Sequence, residues 1–328
     1  IFTSCGTESS NAALNSTLIT QPGKRHIITT AVEHSANIKF AQMHEKRGGE
    51  VSWIPVDRAG QIDVHELQEA IREDTAIVSV MLANNETGVV FPIEEIAAIC
   101  RIKGVPFHTD AVQTAGKLRL DVKAMGVDFL SLSAHKLHAP KGIGLLYARQ
   151  GASWQPYMIG GGQESGRRGG TENVPYIVAF GKAAELAIAS LENDVDRIRT
   201  LRNRMEDGIM ERIPGVTRNG AKEPRLPNTS NLNFADCEAE AILLLLDREG
   251  ICASSGSACT TGSLAPSHVL TAMGVPLEHA LGSVRLSLSK YSTDEEVEHL
   301  LDTLPAIINK IRGVSPKTSG AATQKISQ

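Results

Sequence analysis

Along the first half of the chain, short β-branched apolar runs alternate with stretches whose apolar residues recur every three or four positions. The runs predict strands over residues 26–30, 51–54, 76–82, 105–109, 127–133 and 142–147. The amphipathic stretches predict helices at about 35–46, 64–72 and 93–103. A short opening strand, 1–3, leads into a helix reaching residue 14. Strand and helix in alternation imply βαβ units and a mostly parallel sheet. Residues 76–82 are apolar almost throughout, as in a strand covered on both faces.

Past Tyr147 the rhythm changes. A Gly/Arg-rich region at 160–170 precedes a long helical stretch at about 174–210. From about residue 224 the pattern is that of a smaller α+β unit. It holds a strand at 229–234, a helix at 238–247, a Ser/Gly/Cys loop at 253–263, a strand at 284–287 and a helix at 294–311. The small, polar tail reads as disordered. The expected partition is a large α/β domain over 1–190, a smaller α+β domain over 191–316 and a tail over 317–328.

Composition narrows the function. Lys plus Arg number 33 against 37 Asp plus Glu, a net charge of −4, and aromatic residues make up 4%. There is no basic footprint and no stacking platform, so nucleic acid is not an expected partner. The longest unbroken apolar run, 241–246, is core-sized, so no membrane span is expected. No charged segment followed by an apolar one suggests a secretory leader. The cysteines are Cys5, Cys100, Cys237, Cys252 and Cys259. Their odd number and irregular spacing argue against a disulfide framework, and the lack of a Cys-x-x-Cys pair argues against a metal ligand set. A reducing cytoplasm is the expected compartment. The start at Ile1, without Met and inside an apolar run, reads as a cut edge.

Two motifs carry chemistry. Lys136, in Ser133-Ala134-His135-Lys136, follows a buried-type strand, and ligands of α/β proteins bind at the carboxyl ends of such strands. Read alone, it is a surface lysine. Asp110, in His108-Thr109-Asp110-Ala111-Val112-Gln113, also ends an apolar strand. A lysine and a carboxylate so placed are what pyridoxal phosphate (PLP) requires: an amine for a Schiff base, and an acid to keep the pyridine nitrogen protonated. The competing reading of Asp110 is a helix N-cap. Gly6 and Thr7 lie between the opening strand and a helix, where backbone amides and a hydroxyl suit a phosphate, or merely make a turn. Ser133 and His135 can add donors. Residues 253–263 are all small or polar around one thiol, Cys259, which suits a movable nucleophile that needs a base to activate it. Cys252, after Ile251, is expected to be a buried structural thiol.

These residues resemble a known family, the class I PLP-dependent cysteine desulfurases, and within it the nitrogenase-associated NifS type. The resemblance rests on Phe2-Thr3-Ser4-Cys5-Gly6-Thr7-Glu8-Ser9, Val32-Glu33-His34, Ala83-Asn84-Asn85-Glu86-Thr87-Gly88, the Asp110 motif, and His135-Lys136-Leu137-His138-Ala139-Pro140-Lys141-Gly142. It continues through Gly170-Thr171-Glu172-Asn173, Ser254-Ser255-Gly256-Ser257-Ala258-Cys259 and Val284-Arg285-Leu286-Ser287-Leu288-Ser289, in one collinear order. One departure is Ser10-Asn11, where the family commonly has Asp-Asn.

The resemblance implies a fold type I PLP-dependent transferase, with the N-terminal part of the large domain missing before Ile1. It implies PLP on Lys136, Asp110 at the pyridine nitrogen, Gln113 at the ring hydroxyl and His34 stacked on the ring as a proton carrier. Gly6, Thr7, Ser133 and His135 would hold the phosphate. Thr171 would reach the phosphate of a partner subunit in a homodimer. Asn85 and Arg285 would bind the α-carboxylate of L-cysteine, as guanidinium and carboxylate meet in a bidentate fork. Cys259 would carry the sulfur as a persulfide to an iron–sulfur scaffold protein of the NifU or IscU kind, with alanine as the other product and nitrogenase cofactor maturation as the setting. The readings weighed against this are a truncated, non-catalytic relative that only binds partners, and another fold type I PLP enzyme such as a selenocysteine lyase or an aminotransferase.

Overall fold

The computed structural model describes residues 1–255 and 266–314. Cys259 and the tail beyond residue 314, both singled out above, lie outside the described residues. Seven strands form the first sheet: β1 (Phe2–Thr3), β2 (His26–Thr30), β3 (Glu50–Ile54), β4 (Thr75–Ser79), β5 (Phe107–Asp110), β6 (Phe129–Ser133) and β7 (Gly144–Ala148). Their order is β1-β7-β6-β5-β4-β2-β3. The run from β6 to β3 is parallel, and β7 is antiparallel to both its neighbours. The mostly parallel sheet expected from the alternation is present.

The side-chain period of two explains how each strand serves two cores. Ile27, Ile77 and Phe129 pack on one face under the helix Gly6–Thr20, with Ala12, Ala13 and Leu14. Their neighbours Ile28, Val78 and Leu130 pack on the other face, with Ile93, Ile96 and Cys100 of the helix Ile93–Lys103. Residues covered on both sides can be apolar throughout, and every residue of β2, β4 and β5 is buried.

A second, four-stranded antiparallel sheet holds β8 (Val216–Arg218), β9 (Thr229–Phe234), β10 (Ser254–Ser255) and β11 (Ser283–Ser287), in the order β10-β11-β9-β8. The helices Ala239–Arg248 and Asp294–Val314 cover it. One 39-residue helix, Val174–Arg212, serves both halves. Phe180 packs with Ala134 and Leu137 of the first half, while Leu201, Met205 and Ile209 enter the core of the second. It is pinned to the second sheet by Glu206, which accepts from Arg225, Arg218 and the Ser230 hydroxyl. The expected boundary at 190–191 falls inside this helix. Val269, Leu270, Met273 and Ala280 also return from the second stretch to pack in the first core.

This helix is long and apolar enough, by length and composition, to cross a membrane, although it holds no long unbroken apolar run. Its apolar residues come in short runs broken by Gly, Lys, Glu and Ser residues, so the average is high although no run is long. Most of that stretch is exposed, including Val178 and Ile188.

Candidate active site

Parallel strand order reverses between β2 and β4: from β2 the sheet grows towards β3, and from β4 towards β5 and β6. Open α/β sheets bind ligands at such a switch point, beyond the carboxyl ends of the strands. His34 follows β2, Asn85 follows β4, Asp110 ends β5 and Lys136 follows β6 on a short 3₁₀ turn, Ala134–Leu137. All four, with Gly6, Thr7, Gln113, Ser133, His135 and Arg285, line one cavity of about 290 Å³. Ten of the twelve residues singled out from the sequence therefore meet. Of the other two, Thr171 lines a separate cleft with Phe2, Ser4 and Arg168, and Cys259 lies outside the described residues.

Local physics holds each group. Asp110 is buried, and its Oδ1 accepts from the Val112 amide. It thus makes the cap-like bond read as the competing role, yet a run of turns follows it, not a regular helix. Burial pushes its carboxyl up, opposed by the Val112 amide and by the charges of His34 and Lys136. His34 Nδ1 accepts from the Ala36 amide and so caps the helix Ser35–Lys46. The Ser133 hydroxyl lies 2.8 Å from His135 Nδ1. Burial first, then Lys136 and Lys141, lower the pKa of His135. Arg285 Nη1 donates to the Asn85 carbonyl at 2.6 Å, and Nη2 to Ser254 Oγ at 2.9 Å.

The donor set fits a pyridoxal phosphate. The helix Gly6–Thr20 has no side-chain cap at its N-cap Cys5, so its first-turn amides face the cavity without that partner. A Cβ on Gly6 would stand 2.8 Å from Val112 Cγ2, so only a glycine lets this turn press against the segment after Asp110. Asn85 Oδ1 is buried with no hydrogen-bond partner among the described residues. A buried amide oxygen left unpaired calls for a donor from whatever fills the site.

Sequence reasoning assigned no role to Glu86 and passed over His268, both of which line the same cavity. Glu86 is buried, bonded to the Ser267 hydroxyl, and burial pushes its carboxyl up to about 7 against the pull of Ser267 and Arg285. His268 Nε2 donates to the Glu33 carbonyl at 2.9 Å, so the neutral ring carries its proton there. Burial lowers its pKa. Pro266 and Ser267, a helix-start pair, were the signal that a helix begins at His268. Cys252, expected to be buried, is exposed. It falls two residues before the edge strand β10, where the chain runs over the surface.

The model of the class-V aminotransferases matches residues 1–300. Cysteine desulfurase 2 of Trichormus variabilis is 54% identical over 322 residues, which cover 98% of this chain and 81% of that protein. Cysteine desulfurase NifS of Azotobacter vinelandii is 48% identical, covering 98% and 80%. A solved NifS-like protein superposes with a TM-score of 0.88 at 38% identity, over 94% of this chain and 82% of the other. SspA, solved in complex with cysteine, does so with a TM-score of 0.77 at 34% identity, over 89% and 82%. The chain belongs to the class-V aminotransferase family, whose fold type I scaffold is built for pyridoxal phosphate. Within that family it stands among the cysteine desulfurases.

Proposed function

We propose that this cysteine desulfurase converts L-cysteine to L-alanine and hands the sulfur, held on Cys259, to an iron–sulfur scaffold protein, in the service of nitrogenase cofactor maturation. The observation that carries the reading is the single cavity in which four strand ends deliver His34, Asn85, Asp110 and Lys136 while Arg285 arrives from the second sheet. The likeness to a protein named NifS supports the setting. A reducing cytoplasm would keep Cys259 a thiol between turnovers.

When bound, the cofactor supplies an electron sink for the substrate's α-carbon. Lys136 would hold the cofactor, and its amine, where it lines the cavity, would take the substrate's α-proton. Asp110 would keep the ring nitrogen protonated, Gln113 would meet the ring hydroxyl, and His34 would cover the ring and carry protons. The first-turn amides of Gly6 and Thr7, with Ser133 and His135, would hold the phosphate. Arg285 clamps the substrate carboxylate, with Asn85 beside it. The Cys259 thiolate attacks the substrate sulfur: an S–S bond forms, the substrate C–S bond breaks, and its electron pair returns to carbon, which is protonated to give alanine.

We also propose a homodimer, with Thr171 reaching the partner's phosphate site. Thr171 is exposed and lies off this chain's own cofactor cavity, and the exposed apolar face of Val174–Arg212 offers a surface for a second copy. The test is mass spectrometry of Cys259 after incubation with cysteine. One added sulfur is expected, and Lys136→Ala should abolish both that sulfur and the visible absorbance of the bound cofactor. Full sulfur loading in Lys136→Ala would overturn the reading.

A further inference from the structure

A second lysine stands beside the cofactor site. Lys117 and Lys136 line one cavity of about 290 Å³ that adjoins the cofactor cavity and shares Asn85, Gln113, His135, Lys136 and Arg285 with it. The approach of the two lysines is built into the backbone. Lys117 closes the run of turns after Asp110, where its amide donates to the Thr114 carbonyl. The preceding Gly116 has φ of +71°, and a Cβ there would come within 2.5 Å of Leu137 Cδ2. Leu137 follows Lys136 directly, so a glycine at 116 is what allows one turn to seat against the other.

The Lys117 side chain folds back, and Nζ donates to the Gln113 carbonyl at 2.9 Å. No carboxylate lies within ion-pair distance of it among the described residues. The ionisable groups sharing its cavity are His135, Lys136 and His138 from the turn after β6, Asp194 from the long helix, and Arg285 and Lys290 from β11 and beyond. Four of these six are cations or histidines that disfavour further positive charge when protonated, besides Lys136 itself. The one carboxylate, Asp194, lies 3.9 Å from Arg197.

We propose that Lys117 is a positioning residue for the cofactor lysine: its anchored ammonium disfavours a second positive charge nearby and so keeps the Lys136 amine unprotonated and nucleophilic. This rests on the reading of Lys136 as the cofactor lysine. To join an aldehyde, Lys136 must offer a lone pair: a C=N bond forms, and the carbonyl oxygen leaves as water with the two amine hydrogens. Two lysines in one partly desolvated cleft raise each other's cost of protonation. The effect shows on Lys117, which burial first and Lys136 second lower to about 8. Coulomb coupling is reciprocal, so Lys117, still charged at pH 7, acts on Lys136 in the same sense.

The test is a pH titration of cofactor attachment. The cofactor-free chain is mixed with pyridoxal phosphate across a pH series. The visible band is followed, and the borohydride-fixed adduct on Lys136 is counted by mass spectrometry. Neutralising the charge by Lys117→Met should raise the midpoint pH of attachment by about one unit. Lys117→Gln should do the same, which guards against a packing defect in either variant. Lys117→Arg keeps a charge at all pH values and should leave the midpoint at or below that of the unaltered chain. Coincident curves for Lys117→Met and the unaltered chain would overturn the proposal alone. An unaltered chain that takes up no cofactor at any pH would overturn the cofactor reading, and the proposal with it.

Discussion

Glu86 is almost wholly buried at the wall of the cofactor cavity, and Glu33 is buried completely. Each is pushed up to about 7, by burial in both cases. Glu33 accepts from Thr30, Asn37 and the Met81 amide, which oppose the rise without cancelling it. A carboxyl whose folded pKa exceeds its unfolded one stabilises the fold fully below about pH 4.5, and that contribution is lost as pH rises through about 7. Each group is worth at most a few kcal/mol across that span. Thermal unfolding should therefore fall in midpoint between pH 5 and pH 8, and Glu86→Gln should flatten the fall. An unchanged pH slope in Glu86→Gln would show that this carboxyl is ionised in the fold. At this scale the sequence showed strand-end chemistry well, because Asp110 and Lys136 each follow a recognisable apolar run. It did not show Glu86, His268 or Lys117. Their importance comes from proximity: the bond from His268 to the Glu33 carbonyl spans 235 residues, and no local pattern records it.

The helix Gly6–Thr20 shows how an element can be chosen for what its end leaves unpaired. Its uncapped first turn, the glycine that opens it and the strand that aims it make one device. Gly6→Ala would drive a methyl to 2.8 Å from Val112 Cγ2, and Val112 is a short, β-branched side chain with little room to yield. A destabilisation of about 1–3 kcal/mol is expected in denaturant unfolding. A loss of phosphate-dependent cofactor affinity should accompany it, and full affinity would show that the turn does not hold the phosphate. Among elements, those with strong periodicity were legible to their ends, as in His26–Thr30, Ser35–Lys46, Ile93–Lys103 and Thr229–Phe234. The strand expected over 76–82 is shorter, ending at Ser79. The Val80 and Leu82 amides still bond to the carbonyls of His108 and Asp110, but β2 has ended at Thr30, and on that side the Met81 amide bonds to the Glu33 carboxylate in place of a strand. The three-residue strand β8, the two-residue strand β10 and the five-residue helices His268–Ala272 and Leu277–Leu281 are too short for any period to register.

For the whole molecule, exposed large apolar residues occur at many places, and the long helix carries a group of them. Val174, Tyr176, Val178, Leu186 and Ile188 lie along one stretch of the long helix, with Ile188 74% exposed. Such a group is what the proposed subunit interface would cover. Ile188→Glu together with Val178→Glu should convert the proposed dimer to a monomer in light scattering, with visible-band uptake falling as the partner's Thr171 is lost. A double variant that elutes as an intact dimer would place the interface elsewhere. The same helix has a mechanical consequence. At 1.5 Å per residue its 39 residues make a rod about 58 Å long that packs against both halves without a break. A beam of this kind resists folding like a hinge but tolerates twist and sliding along its length. Any change in the width of the cleft between Lys136 and Arg285 is then expected as small shear of the second sheet along the rod rather than as bending of the rod. Cleft geometry should then respond more to the side chains through which the rod grips each half, such as Glu206 and Phe180, than to the loops that join the two halves.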